Sequence, residues 1–454
     1  MKYTFGIDPL QQYLIEFPDG RLQALSLDHV AWARAQQSWW PFGKDDDPKK
    51  GLPVRFGVWR IDRTSGNAHR NFTPATVRKE VETCGRCHAR RGAFSEDWVP
   101  GRSLSDTHVV SLLARGLYEA DGQMRDEVYN YGSFKQSRMF AAGVTCGDCH
   151  EPHTAKPRAP GDGVCVQCHA AEKYATAAHH RHESASPPLT CASCHMPERT
   201  YMVVDRRHDH SFRIPRPDLA AKLATPNACN DCHADKSAQW AVSAIETWHG
   251  TNRRGWRRYA KAFHSAWTDQ ADAAALLGAV AGDANTPAFA RASALTELAP
   301  YLSPANINLA RRALADPDPM VRIGALDMLA NVSPSQIWPL VAPLLTDSNR
   351  GVRIHAAALL AAVPSASQPP ADREPFQRAA AEFVAAQRLN ADRPEARSAL
   401  GKFTRGAASH PMPRPNTRLR CGSARITRSR RSTSPISIAN SVATEREKAC
   451  CARR

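Results

Sequence analysis

Five times between residues 84 and 233 the chain repeats Cys-x-x-Cys-His: Cys84–Cys87–His88, Cys146–Cys149–His150, Cys165–Cys168–His169, Cys191–Cys194–His195 and Cys229–Cys232–His233. Two thiols three positions apart can reach the two vinyl groups of one porphyrin and form thioethers, while the next imidazole comes up under the same ring to bind iron. Paired Cys-x-x-Cys units also build four-thiolate zinc sites. Zinc uses such units two at a time, whereas here there are five, each followed by His. The expectation is therefore five covalently attached haem c groups. The ten motif cysteines would anchor them, with His88, His150, His169, His195 and His233 as proximal ligands.

Five haems on so short a stretch leave too little chain for each to own a protein core, so they would pack against one another and form a path for electrons. Each iron also needs a sixth ligand if it is to stay low-spin and only pass electrons; an open position would let it bind a substrate. Ten further histidines lie before residue 250, enough for all five irons. His153 is the foremost candidate, three residues beyond His150 and held off by Pro152. His180 and His182 in His-His-Arg-His, His210 in HDHSFRIP, and His108 complete the expected distal set. Met139, seven residues before Cys146, is an alternative ligand or a core residue.

The rest of the chain is read by pattern. Residues 1–75 alternate apolar and polar side chains at Gln12–Phe17, Leu22–Leu27 and Val54–Ile61, which predicts short strands. Residues 76–250, rich in Cys, His, Pro and Gly, predict a pentahaem domain with little regular structure. Residues 251–365 turn to Ala and Leu at helical spacing, and Arg291, Arg322 and Arg353 recur 31 apart, each heading an apolar helix. Asn285, Asp316 and Asp347 keep the same step six residues earlier. Asp318-Pro319 and Ser333-Pro334 mark helix starts. This period predicts stacked helix pairs of the HEAT type. Residues 366–403 predict tetratricopeptide-like helices, with a turn at Pro394-Glu395-Ala396 and a new helix opening at Leu400-Gly401. The fold class expected is mainly α: a short N-terminal β segment, a haem-organised domain and a C-terminal α-solenoid.

Formal net charge is +16, but thirteen Lys and Arg against two Glu fall from residue 402 onward, so the body is only mildly basic and no nucleic-acid partner is expected. No apolar run is long enough to span a bilayer, and any membrane association is expected through a partner. C-type haem is attached outside the cytoplasm, which predicts a periplasmic or extracytoplasmic protein with an export leader ahead of the opening MKYTFGIDPLQQYLIEF. Residues 404–454 lose the helical period and become Arg- and Ser-rich, which predicts a disordered basic tail and, from the abruptness of the break, a frameshifted end.

The words AGVTCGDCHEPH, CVQCH, YGSFKQSRMF, HHRH, CASCHMPE and DHSFRIPRPD, with the helical repeats behind them, resemble the envelope multihaem cytochromes with doubled Cys-x-x-Cys-His motifs, related to the cytochrome c-554 type, over about residues 76–400. That resemblance implies periplasmic electron transfer with His153, His180, His182 and His210 as distal ligands. Members usually carry further motifs upstream and more repeats downstream. The principal expectation is thus an electron carrier, not an enzyme, whose haem domain or repeats dock redox proteins. The alternative is a reductase of a small nitrogen or sulfur oxyanion with one open-faced haem, although no Cys-x-x-Cys-Lys variant is present. A third possibility makes the helical array a binding scaffold with the haems as ballast.

Overall fold

The computed structural model describes residues 3–5, 12–16, 22–25, 59–70, 74–99, 101–151, 156–182, 189–251 and 258–406. They belong to one compact unit, residues 1–410; the tail expected to be disordered lies outside the described residues. Strands Tyr3–Phe5, Gln12–Glu16 and Leu22–Leu25 form an antiparallel meander in which Tyr3 pairs with Leu14 and Tyr13 with Leu25. A second hairpin joins Trp59–Ile61 to Ala68–Arg70. Its turn is closed by the Asp62 carboxylate, which accepts from the Thr64 and Ser65 amides, both at 2.7 Å.

Between residues 74 and 249 regular structure is sparse, as the composition implied. Most helices there are four to seven residues long. One departure is the 15-residue helix Pro74–His88, which ends on the first motif. It is held from both sides. Glu82 Oε1 accepts from Tyr131 Oη at 2.7 Å and lies 3.2 Å from Lys135 Nζ, and Glu82 Oε2 accepts from the Leu104 amide at 2.8 Å. Around this polar knot Val81, Leu104, Tyr131 and Phe134 form a small core.

From Ala260 onward the chain is a run of helices packed on one another: Ala260–Trp267, Ala273–Gly282, Ala288–Glu297, Pro304–Ala313, Pro319–Met328, Pro334–Val341, Arg350–Leu360, Arg373–Leu389 and Pro394–Gly406. The 31-residue step has a direct physical meaning. Each repeated Arg reaches one repeat forward to an acid: Arg291 pairs with Asp316, Arg322 with Asp347 and Arg353 with Glu382, at 2.5–2.9 Å. The same acids brace the turns they sit in. Asp316 accepts from the Asp318 amide at 2.9 Å and Asp347 from the Asn349 amide at 2.8 Å, while Arg322 and Arg353 donate back to the Asp316 and Asp347 carbonyls, both at 2.7 Å. Asp318 caps its helix as expected, accepting from Met320 N at 2.9 Å.

Two repeats approach closely at Gly324, where an added Cβ would lie 2.5 Å from the Ala292 carbonyl oxygen. A Gly324→Val variant is expected to destabilise the array by roughly 1–3 kcal/mol, because backbone on the far side has nowhere to go; a lowered urea midpoint with unchanged slope would report it.

The expected turn at Pro394-Glu395-Ala396 is corrected by the structure. Pro394 opens a helix that runs unbroken through Leu400 and Gly401 to Gly406. The cause is local: proline's fixed φ and missing N–H suit the first position of a helix as well as they suit a turn.

The helical array packs against the motif-bearing segment. Phe289, fully buried, meets Tyr118 edge-to-face with ring centres 6.1 Å apart, and the Leu113 amide donates to Ser293 Oγ at 3.0 Å. Farther along, Asn349 donates to Ser105 Oγ at 3.0 Å, and Arg350 holds Asp97 through two bonds of 2.8 and 2.7 Å. The Arg350 guanidinium keeps the Asp97 carboxyl down at about 2, below its ordinary 3.8. That pair's contribution is therefore complete above about pH 3.8 and is lost as pH falls through about 2. With Asp97 56% exposed, Arg350→Ala should cost at most about 1 kcal/mol, seen as faster amide exchange confined to 94–97 and 349–353.

Candidate functional site

Four of the motifs lie on or end a helix, long for the first and short for the others, so their two thiols sit three residues apart on one face, whereas the helix Gly163–Val166 carries Cys165 and stops before Cys168. Residues between the cysteines help to build these turns. Asp148 closes a capping box on Thr145, accepting from its amide at 2.8 Å. Ser193 does the same for Thr190, and Asn227 caps the last motif by accepting from the Asn230 amide at 3.2 Å.

No disulfide joins any of the ten motif cysteines. Neighbouring motifs bring their sulfurs together. The Cys146 thiol is pushed up by its hydrogen bond with Cys84 and by burial, and burial beside Cys165 and Asp162 pushes Cys191 up to about 12. Glu80, on the helix of the first motif, accepts from the Gly147 amide inside the second. Asp162, Cys165 and Cys191 place their donor atoms within 4.8 Å of one another. Among the described residues no four of these cysteines gather into one cluster.

The histidines carry the sharper signal. His150 faces His210 with ring centres 6.3 Å apart and planes 24° from parallel. His195 faces His179 at 6.1 Å and 16°, and His233 faces His182 at 6.1 Å and 30°. Rings stacked in direct contact would sit much closer. Two imidazoles on opposite sides of one metal, each bonded at about 2.0 Å with about 1.1 Å from ring nitrogen to ring centre, keep their centres about 6.2 Å apart.

Hydrogen bonds settle the tautomer of several of these rings. His195 Nδ1 donates to the Arg213 carbonyl at 2.6 Å, His210 Nδ1 to the His208 carbonyl at 2.9 Å and His182 Nδ1 to the His180 carbonyl at 2.5 Å. A carbonyl can only accept, so each Nδ1 carries the proton and Nε2 keeps the lone pair a metal needs. His169 Nδ1 meets Asn67 Oδ1 at 2.9 Å, and the 59–70 hairpin straps that motif through Ala68 N to the Cys168 carbonyl and Ala170 N to the Gly66 carbonyl. Burial holds His210 down at about 4, so its ring is neutral at neutral pH.

The expected distal histidines divide as follows. His210 and His182 each lie opposite a motif histidine. His180 lies beside His182, at 6.3 Å, and opposite no motif histidine among the described residues; the ring facing His195 is that of His179, which the sequence did not single out. His108 is buried on the strand His108–Val110 with Nδ1 2.8 Å from Thr107 Oγ1, and burial beside Arg91 and Arg86 lowers it to about 3. His153 lies outside the described residues. Met139 packs against the small core around Leu104 and Phe134, as a core methionine does.

A family model described as HEAT repeats matches residues 304–401, including the segment read as tetratricopeptide-like. The helical array is a HEAT-like solenoid. No curated protein matches the chain. A solved structure described as "Crystal Structure of Outer Cell Wall Cytochrome OcwA" is similar at 17% identity and a TM-score of 0.30, over 59% of this chain. The chain spans 66% of that structure's length, and at such a score the two folds do not superimpose as wholes. No described helix is long and apolar enough to cross a membrane.

Proposed function

We propose that this chain is a multihaem c-type cytochrome that transfers electrons between redox partners in the periplasm, with five haem c groups attached at the five motifs. The observation that carries the proposal is the facing of His150, His195 and His233 by a second imidazole at 6.1–6.3 Å, the width of one six-coordinate metal. Bound haem would supply a one-electron iron couple. The chain's own part is to fix that group in place. The motif cysteines and motif histidines would hold it, with His210, His179 and His182 as further iron ligands at three of the sites. Backbone carbonyls that accept from Nδ1 lock ring orientation and leave Nε2 basic. Two strong axial ligands favour electron transfer over substrate binding. The adjacency of the Cys84 and Cys146 thiols, and of Cys165 and Cys191, supports a close-packed series of centres. The HEAT-like solenoid, packed on the motif segment, offers a rigid face on which a partner can dock.

Electron paramagnetic resonance of the oxidised, haem-loaded protein tests this. Low-spin signals that integrate to at least three irons per chain, unchanged by nitrite or carbon monoxide treatment, are the expected result. High-spin iron dominating the spectrum and shifting with nitrite would overturn the carrier proposal in favour of a reductase.

A further inference from the structure

We infer that Asp121 and Arg213 are positioning residues whose buried ion pair fixes the segment that orients the axial imidazoles of both His195 and His210, so that one charge pair tunes two redox centres. The inference rests on the five-haem proposal and adds to it a control point that no ligand set requires.

The segment His208–Arg213 serves two sites at once. At one end the His208 carbonyl takes the Nδ1 proton of His210, whose ring faces His150. At the other end Arg213 brackets His195: its carbonyl takes the His195 Nδ1 proton at 2.6 Å, and its amide donates to the His195 carbonyl at 2.8 Å. The strand Asp205–His208, paired with Glu198–Tyr201, ends on the first residue of this stretch; residues 209–213 beyond it precede the helix Pro217–Leu223 and lie outside any regular element, with Phe212 in the left-handed region at φ 47°.

Charge holds it instead. Arg213 donates to Asp121 Oδ2 at 2.9 Å and to the Asp121 carbonyl at 2.7 Å, and Asp209 Oδ2 stands 3.7 Å from its Nε. The two side chains of the pair are 9% and 3% exposed. At that depth the two charges hold one another in place, with Asp209 as the second acid beside Arg213. Asp121 is itself pinned by Gln123, through the amide at 3.2 Å and the side chain at 3.0 Å, and Gln123 reaches on to the Pro226 carbonyl at 2.7 Å. Asp209, buried beside the pair, accepts from the Ser211 amide at 2.8 Å. The Arg213 carbonyl, and through Asp209 the backbone on either side of His210, are thus placed by a charge network anchored in a loop some ninety residues earlier in the chain, while the His208 carbonyl is held by the strand it ends. A firm Nδ1–H···O=C bond raises the basicity of Nε2 and favours oxidised iron; a slack one does the reverse.

The test uses the full chain, exported and haem-loaded. Asp121→Asn keeps the shape of the side chain and removes its charge. It is expected to retain the full haem content while moving at least one step of the redox titration to higher potential by a tenfold change in reduced-to-oxidised ratio, ~59 mV for one electron. Its low-spin signals should shift in g value, and Asp121→Glu should restore both. A fully loaded Asp121→Asn protein whose titration and spectrum superimpose on the unmutated ones overturns the inference and leaves the five-haem proposal standing. Should that variant fail to load, the unmutated protein still decides: at least two hyperfine-shifted imidazole Nδ1 protons should exchange slowly with D2O, and fast exchange at every axial histidine overturns the clamp. A chain that leaves the envelope without haem overturns the five-haem proposal and the clamp together.

Discussion

His182→Ala is expected to turn one iron per chain from low-spin to high-spin and to add one carbon monoxide binding site to whatever the parent protein shows. His182 is the imidazole facing His233 across 6.1 Å, and its Nδ1 is already committed to the His180 carbonyl. Removing it leaves the His233 centre one strong axial ligand short, the condition under which an iron accepts an exogenous ligand. The fold should survive, since His182 is only half-buried. His180→Ala is the control. Its ring lies beside His182 and faces no motif histidine among the described residues, so the spin state should not change. Carbon monoxide difference spectra on the two variants and the parent separate the cases: no gain over the parent in His182→Ala, or an equal gain in both variants, would contradict the pairing.

Phe289→Ala is expected to cost about 3–5 kcal/mol, the range for removing a fully buried aromatic whose cavity cannot collapse. The ring is 0% exposed and stands edge-on to Tyr118, and Gly132 is glycine where a Cβ would lie 2.7 Å from Phe289 Cζ. Because Phe289 belongs to the solenoid and Tyr118 to the motif-bearing segment, the loss should appear in both. A chemical denaturation curve followed by tryptophan fluorescence and by haem absorbance should move to lower denaturant by the same amount at both probes. A shift seen by one probe alone would show that the two parts unfold separately.

The solenoid was legible because its signal is periodic. A step of 31 residues in Arg291, Arg322 and Arg353 could only persist if each met the same environment, and the structure supplies it as an acid one repeat ahead. The motifs were legible for a similar reason: their chemistry is written in local spacing. Which histidine meets which motif was not, because the pairs join distant segments. His-His-Arg-His shows the difficulty best. On a continuous helix His179 and His182 would share a face, but Arg181 sits in the left-handed region at φ 62° and ends the helix Ala177–His180. The chain turns there, which sends His179 toward His195 and His182 toward His233 and leaves His180 between them. Arginine carries no sequence signal for that conformation, as glycine would. Pro394 misled in the other direction, since a proline before Glu-Ala suits a turn and a first helical turn equally.

Haem content per chain tests the central claim most directly. The protein exported to the envelope, purified and fully denatured, should retain five haems per polypeptide by haemochrome absorbance and by intact mass, and should drop to four when Cys229 and Cys232 are both replaced by alanine. A denatured chain with no Soret absorbance and the mass of bare polypeptide would contradict it.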